Sequence, residues 1–172
     1  MLLSMEGDEA TGWKPNAPTA FLKTPLNEST PVFSPDGRWL AYLSNDNGTT
    51  NVYVRPFPGP GGKWQISTEV ADDPMWSRTR QQLFFASTPG LRLMVAGYSV
   101  NGQSCVADKP TLVSDARFAT RSRAPSRDIA IHPDGQQFAV APAVDTPNRV
   151  DKAVFVFNFF DELRRLTAGS RQ

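Results

Sequence analysis

The sequence predicts an all-β fold built from a repeated strand–turn–strand unit, and three observations support this. Fifteen prolines and twelve glycines among 172 residues mark a turn-rich chain, and the Val and Phe content favours strands over long helices. Two segments, Phe33-Ser34-Pro35-Asp36-Gly37-Arg38-Trp39-Leu40-Ala41-Tyr42 and Ile131-His132-Pro133-Asp134-Gly135-Gln136-Gln137-Phe138-Ala139-Val140, align without a gap, and a degenerate copy, Trp76-Ser77-Arg78-Thr79-Arg80-Gln81-Gln82-Leu83-Phe84-Phe85, lies between them. Finally, Trp39-Leu40-Ala41-Tyr42-Leu43 is apolar on both alternating faces, as expected of a strand covered on two sides.

The copies begin at 33, 76 and 131, offsets of 43 and 55 residues. The first offset matches a unit of four short antiparallel strands with their turns, about 40–50 residues, of the kind repeated radially in a β-propeller. The second is such a unit plus an insertion, placed within residues 101–125. The expected architecture is therefore a partial β-propeller of about three four-stranded antiparallel blades. In the first turn Pro35 pre-sets φ, Asp36 closes a local bond, and Gly37 takes the left-handed conformation that ends a type I turn in a bulge. Pro133, Asp134 and Gly135 repeat this chemistry. Thr79-Arg80 replaces Asp-Gly in the middle copy, so that turn must differ, because arginine is costly at positive φ.

In chain order, residues 1–24 are expected to supply the outer strand of a preceding blade, at 19–22, after a turn at Met5-Glu6-Gly7-Asp8. The strands before it are absent from the sequence. A blade at 25–68 would continue from the motif to Asn51–Pro56, after the turn-prone Asn45-Asp46-Asn47-Gly48, and then to residues 63–67. A degenerate blade at 69–125 would use residues 74–76, Gln82–Ser87, residues 93–100 and an outer strand near 111–113. A blade at 126–157 would use residues 128–131, 137–141 and 153–157. A short helix follows at 158–168, where Asn158 caps with Asp161 and Phe159, Leu163 and Leu166 share a face. At barely two turns it is expected to pack on the propeller rather than on a membrane.

Eighteen Lys and Arg against seventeen Asp and Glu give a net charge of +1, so no bulk field recruits nucleic acid or an acidic membrane. A single cysteine, Cys105, excludes an internal disulfide framework and a multi-cysteine zinc site; a free buried thiol is expected there. The opening Met1-Leu2-Leu3-Ser4-Met5 is too short an apolar run for a signal peptide. No apolar stretch approaches the ~20 residues of a membrane helix, so no membrane insertion is expected of this chain.

The stretch Pro31-Val32-Phe33-Ser34-Pro35-Asp36-Gly37-Arg38-Trp39-Leu40-Ala41-Tyr42 resembles the signature of TolB-like, WD-repeat-like propeller units. The run Val52-Tyr53-Val54-Arg55-Pro56-Phe57-Pro58-Gly59-Pro60-Gly61-Gly62-Lys63-Trp64-Gln65-Ile66-Ser67 resembles the C-terminal sensor propellers of bacterial eukaryotic-like serine/threonine protein kinases, and related stand-alone propellers. The ending Val154-Phe155-Val156-Phe157-Asn158-Phe159-Phe160-Asp161-Glu162-Leu163 resembles their closing tail. The resemblance covers about residues 5–167. It implies a parent domain of six to eight blades outside the cytoplasmic membrane, with a role in sensing or protein contact. By that comparison the chain is the C-terminal part of a larger propeller, and its second repeat has lost the Pro-Asp-Gly turn.

Candidate sites are few. No Gly-x-Gly-x-x-Gly, His-Arg-Asp or Asp-Phe-Gly is present to hold nucleotide or metal for phosphoryl transfer. Gly97-Tyr98-Ser99-Val100-Asn101 is a near miss to a nucleophile elbow, but it lacks the final glycine and a following helix pattern. His132, the only histidine, occupies the turn position of Ser34, where it either caps the turn or meets a ligand; alone it cannot make a typical zinc site. Asn45-Asp46-Asn47-Gly48 lacks the downstream glutamate of a calcium loop and reads as a hairpin. Arg117, Arg121, Arg123 and Arg127, with Phe118 nearby, form either a solvated loop or a patch for an acidic partner.

These readings favour a non-catalytic recognition module for a protein or small ligand, without a cofactor and without nucleic acid. Two alternatives stay open: the propeller gate of a peptidase whose catalytic domain lies elsewhere, and a truncated fragment with no independent function. Three blades are too few to close, so the open edges also predict a homodimer in which each N-terminal strand completes its partner's last blade.

Overall fold

One closing bond recurs in all three motif turns. The computed structural model describes residues 1–88, 92–114 and 129–140. In each copy the residue that opens the motif turn closes it five positions on: the Ser34 N–H donates to the Trp39 carbonyl, Ser77 to Gln82 and His132 to Gln137, at 2.9, 2.9 and 2.8 Å. Gly37 and Gly135 sit at φ +68° and +73°, and each donates its N–H to the opening residue's carbonyl at 2.9 Å. The Asp36 carboxylate accepts from the Arg38 N–H at 3.1 Å and Asp134 accepts from Gln136 at 2.8 Å. Arg80 is not left-handed; the middle turn instead uses the Ser77 hydroxyl as acceptor for the Thr79 and Arg80 N–H groups, at 3.4 and 3.2 Å.

These turns join antiparallel strands. The N-terminal segment forms a small hairpin of β1 (Met5–Glu6) and β2 (Lys14–Pro15). A four-stranded sheet follows in the order β3 (Glu28–Phe33), β4 (Trp39–Ser44), β5 (Asn51–Pro56) and β6 (Trp64–Gln65). The central sheet has five strands: β7 (Ala71–Trp76), β8 (Gln82–Ser87) and β9 (Arg92–Asn101), with β10 (Ser104–Ala107) and β11 (Thr111–Ser114) both on the outer edge of β9. The last described pair is β12 (Ile129–Ile131) and β13 (Phe138–Val140). Among the described residues the fold is all-β with no helix, and no sheet closes on itself.

The first strands of the two larger sheets share an irregularity. The β3–β4 register shifts between Ser29 and Val32, and the β7–β8 register between Asp72 and Met75. At these bulges Thr30 and Asp73 take φ of +50° and +48°. Each precedes a proline, Pro31 or Pro74, which has no N–H to lose from an interrupted ladder. Both bulges bend the strand just before it delivers its last residues to the turn end.

Alternation within the central strands builds a stack. Trp39, Ala41 and Leu43 of β4, with Val52 and Val54, pack against Leu83, Phe85, Ala96 and Cys105 of the central sheet. The opposite face of β8, Phe84 and Ala86, joins Met75 and Leu93 in packing on Ile129, Ile131 and Phe138. The central sheet is thus covered on both sides, and every residue of β4 is buried. The Trp76 indole N–H donates to the Val32 carbonyl at 3.0 Å and ties β7 to β3. Its ring meets Tyr98 edge-on at 5.0 Å, and Phe84 meets Phe138 in the same way. On the far side of β4, Leu40 and Tyr42 look towards Met1, Leu2, Phe21 and Leu22 across a gap of about 230 Å³.

Three expectations need correction. Residues 19–22 are not an outer strand: Thr19 makes only an isolated bridge to Leu2, and Met5-Glu6 is a strand rather than a turn. The segment satisfies itself instead. The Asp8 carboxylate caps its turn by accepting from Ala10, Thr11 and the Thr11 hydroxyl, with Gly7 and Gly12 at positive φ. The outer strand expected near 111–113 is present as β11, and inside the insertion placed at 101–125 a further strand, β10, also pairs with the ten-residue β9. β10 and β11 are separated where the Asp108 N–H bonds to the Gly97 carbonyl at 2.8 Å. The sheets therefore do not all have four strands; the central one has five. The strand expected at 153–157 and the helix at 158–168 lie outside the described residues.

Candidate functional site

The first strands β3, β7 and β12 approach one another at the turn end of the stack and enclose a concavity of about 450 Å³. Its lining is set by the repeat. Val32, Met75 and Ala130 stand at one position of the three copies, and Phe33, Trp76 and Ile131 at the next. Met75 and Trp76 are buried and form a floor, while Phe33 stands 47% exposed as a wall. Pro35 and Arg78 also occupy equivalent places, so the middle copy carries a cation where the first carries proline. Arg78 is exposed and is the one charged side chain lining the concavity among the described residues. It makes no ion pair among them.

The rim is a ring of locally satisfied turns. The Ser34 hydroxyl donates to Asp36 and accepts from the Trp39 N–H. That serine bond, with the Arg38 N–H, holds the Asp36 carboxyl below its ordinary range. His132 Nδ1 lies 3.0 Å from Asp134 Oδ1. The Gln136 N–H and then His132 hold the Asp134 carboxyl below its usual range. The Thr79 hydroxyl donates to the Asp134 carbonyl at 3.2 Å and links the middle turn to the third. Among the described residues, carboxylates near the mouth are therefore occupied by their own turns, and the charged side chain left to meet a ligand there is Arg78.

Pro35, Asp36 and Gly37, and likewise Pro133, Asp134 and Gly135, sit in the turns where the sequence places them; Pro35 also reaches the concavity. His132 points to its own turn's aspartate, with its side chain 56% exposed. Arg117, Arg121, Arg123 and Arg127 lie outside the described residues. Sequence reasoning missed Arg78, although the signal was present: it is the residue that departs from proline at an otherwise repeated position. Ser99 lies within β9 opposite Val106, in regular pairing rather than on a strained turn. Asn45-Asp46-Asn47-Gly48 is a hairpin closed by the Gly48 N–H on the Asn45 carbonyl, with Asp46 paired to Lys63. Burial pushes the Cys105 thiol above its ordinary pKa, which opposes thiolate chemistry. Among the described residues no group of three metal-ligating side chains gathers, and no helix is long and apolar enough to cross a membrane.

No protein-family model matches the chain, and no curated protein matches it.

Proposed function

We propose that the chain is a non-catalytic recognition module, part of a TolB-like β-propeller of the kind attached to bacterial serine/threonine kinases, and that it binds its ligand or partner in the concavity between β3, β7 and β12. The carrying observation is positional: two consecutive residues from each of three repeats meet around one space. A radial array brings equivalent residues to a shared axis in this way. The stacking of sheets in chain order, each inner strand beside the next, supports the same reading. Recognition sites on such scaffolds lie at the turn end, where a rigid sheet fixes the approach of exposed groups. A space of this size lies within the range of small-ligand and peptide sites, about 300–1,000 Å³.

The test pairs binding with turnover. A fragment library screened by NMR should shift resonances of Val32, Phe33, Met75, Trp76 and Ile131 together. The same protein should turn over no ester, peptide or nucleotide substrate. Shifts confined to another part of the molecule would refute the location. Turnover abolished by Ser99→Ala would refute the non-catalytic reading.

A further inference from the structure

We infer that the concavity takes an apolar carboxylate, held at its charged end by Arg78; the inference rests on the recognition reading above and specifies its ligand. Three observations carry it. Side chains of Val32, Phe33 and Ile131, over a floor of Met75 and Trp76, give the lining apolar surface beside the polar groups of Ser34 and Arg78, which suits a ligand with an apolar part and a charged end. Arg78 is the one charge on the lining and has no ion-pair partner among the described residues. A guanidinium presents paired N–H donors that match a carboxylate.

The surrounding charges permit this ligand. Asp36 and Asp134, the acids of the neighbouring turns, are tied to Ser34 and Arg38 and to His132 and Gln136. Arg38 and Arg80 belong to the same turns, so among the described residues these turns carry three arginines and two aspartates. Arg78 also marks where the repeat gives up its own rule. The first and third copies place proline at this position, and the middle copy exchanges that turn residue for arginine. A local departure from favourable turn chemistry is where a functional constraint is expected.

The experiment uses the full chain and two probes, N-acetyl-phenylalanine and its uncharged amide. Binding is followed by titration calorimetry and located by the Trp76 indole N–H resonance, which Trp76→Phe assigns. The carboxylate should bind about tenfold more tightly than the amide, as one charge-assisted contact predicts. Arg78→Gln should remove that preference by weakening carboxylate binding about tenfold. Because the side chain is exposed and makes no ion pair among the described residues, this variant keeps the fold. Equal affinities, with Arg78→Gln indifferent and the Trp76 resonance still shifting, would overturn the role of Arg78 while the concavity stands as a site. No shift at Trp76 with either probe would overturn the site itself. Hexanoate and a short peptide ending in phenylalanine distinguish a free acid from a chain terminus: the tighter of the two identifies the source.

Discussion

Gly37 and Gly135 occupy equivalent corners of two turns, yet alanine should cost different amounts at the two positions. Both glycines are left-handed, at φ +68° and +73°, where an L-residue is strained by about 1–2 kcal/mol. Alanine also stiffens the unfolded chain, which returns about 0.4–1 kcal/mol. At Gly37 nothing lies within 4 Å of the added methyl, so the net loss should be about 1 kcal/mol. At Gly135 the methyl would stand 2.7 Å from the Thr79 hydroxyl and 3.2 Å from that of Ser77. Thr79 must rotate away and give up its bond to the Asp134 carbonyl, adding about 0.5–1.5 kcal/mol for a total near ~2 kcal/mol. Arg80 at the corresponding corner is not left-handed. There Arg80→Gly relieves no strain and loosens the unfolded chain, for a loss of about 0.5–1 kcal/mol. Urea unfolding at constant m-value measures all three. A Gly37→Ala loss equal to or greater than that of Gly135→Ala would refute the contact between the second and third turns. Stabilisation by Arg80→Gly would refute the geometry of the middle turn.

Two further outcomes follow from single side chains. Burial pushes the Tyr42 phenol up to about 12, so the folded state favours its neutral form. That contribution is complete below the ordinary value near 10 and is lost as pH rises from there to about 12; Tyr42→Phe should therefore flatten the alkaline fall in the urea midpoint, and an unchanged slope would refute this. Trp76→Phe removes the indole N–H from the Val32 carbonyl and should cost about 1–2 kcal/mol in the same assay; a loss near zero would show that the bond does not tie the sheets.

The parts of the fold legible in the sequence are those whose signal is local. Ser34-Pro35-Asp36-Gly37 specifies its turn within four residues, and both faces of Trp39–Ser44 announce cover on two sides. The left-handed Thr30 and Asp73 were not legible, since neither residue type demands positive φ; the bulges arise from how β3 and β7 meet β4 and β8 and reach the next sheet. On the outer edge of β9 the strand near 111–113 was legible, but β10 was not: four residues from Ser104 to Ala107, followed by the loop-like Asp108-Lys109-Pro110, have no strand pattern of their own. At the N-terminus the expectation of a blade edge overrode the local evidence of Gly7, Asp8 and Gly12. At the site the apolar positions were visible as strand ends. Their convergence was not, because it depends on sheets separated by 43 and 55 residues.

The bond from Trp76 to Val32 has a mechanical consequence. Both residues line the concavity and also belong to the seam between two sheets. Anything seated there leans on the joint itself, with no intervening lever. A ligand that fits better at one spacing of β3 and β7 than at another will draw the seam towards that spacing, by no more than its difference in affinity for the two.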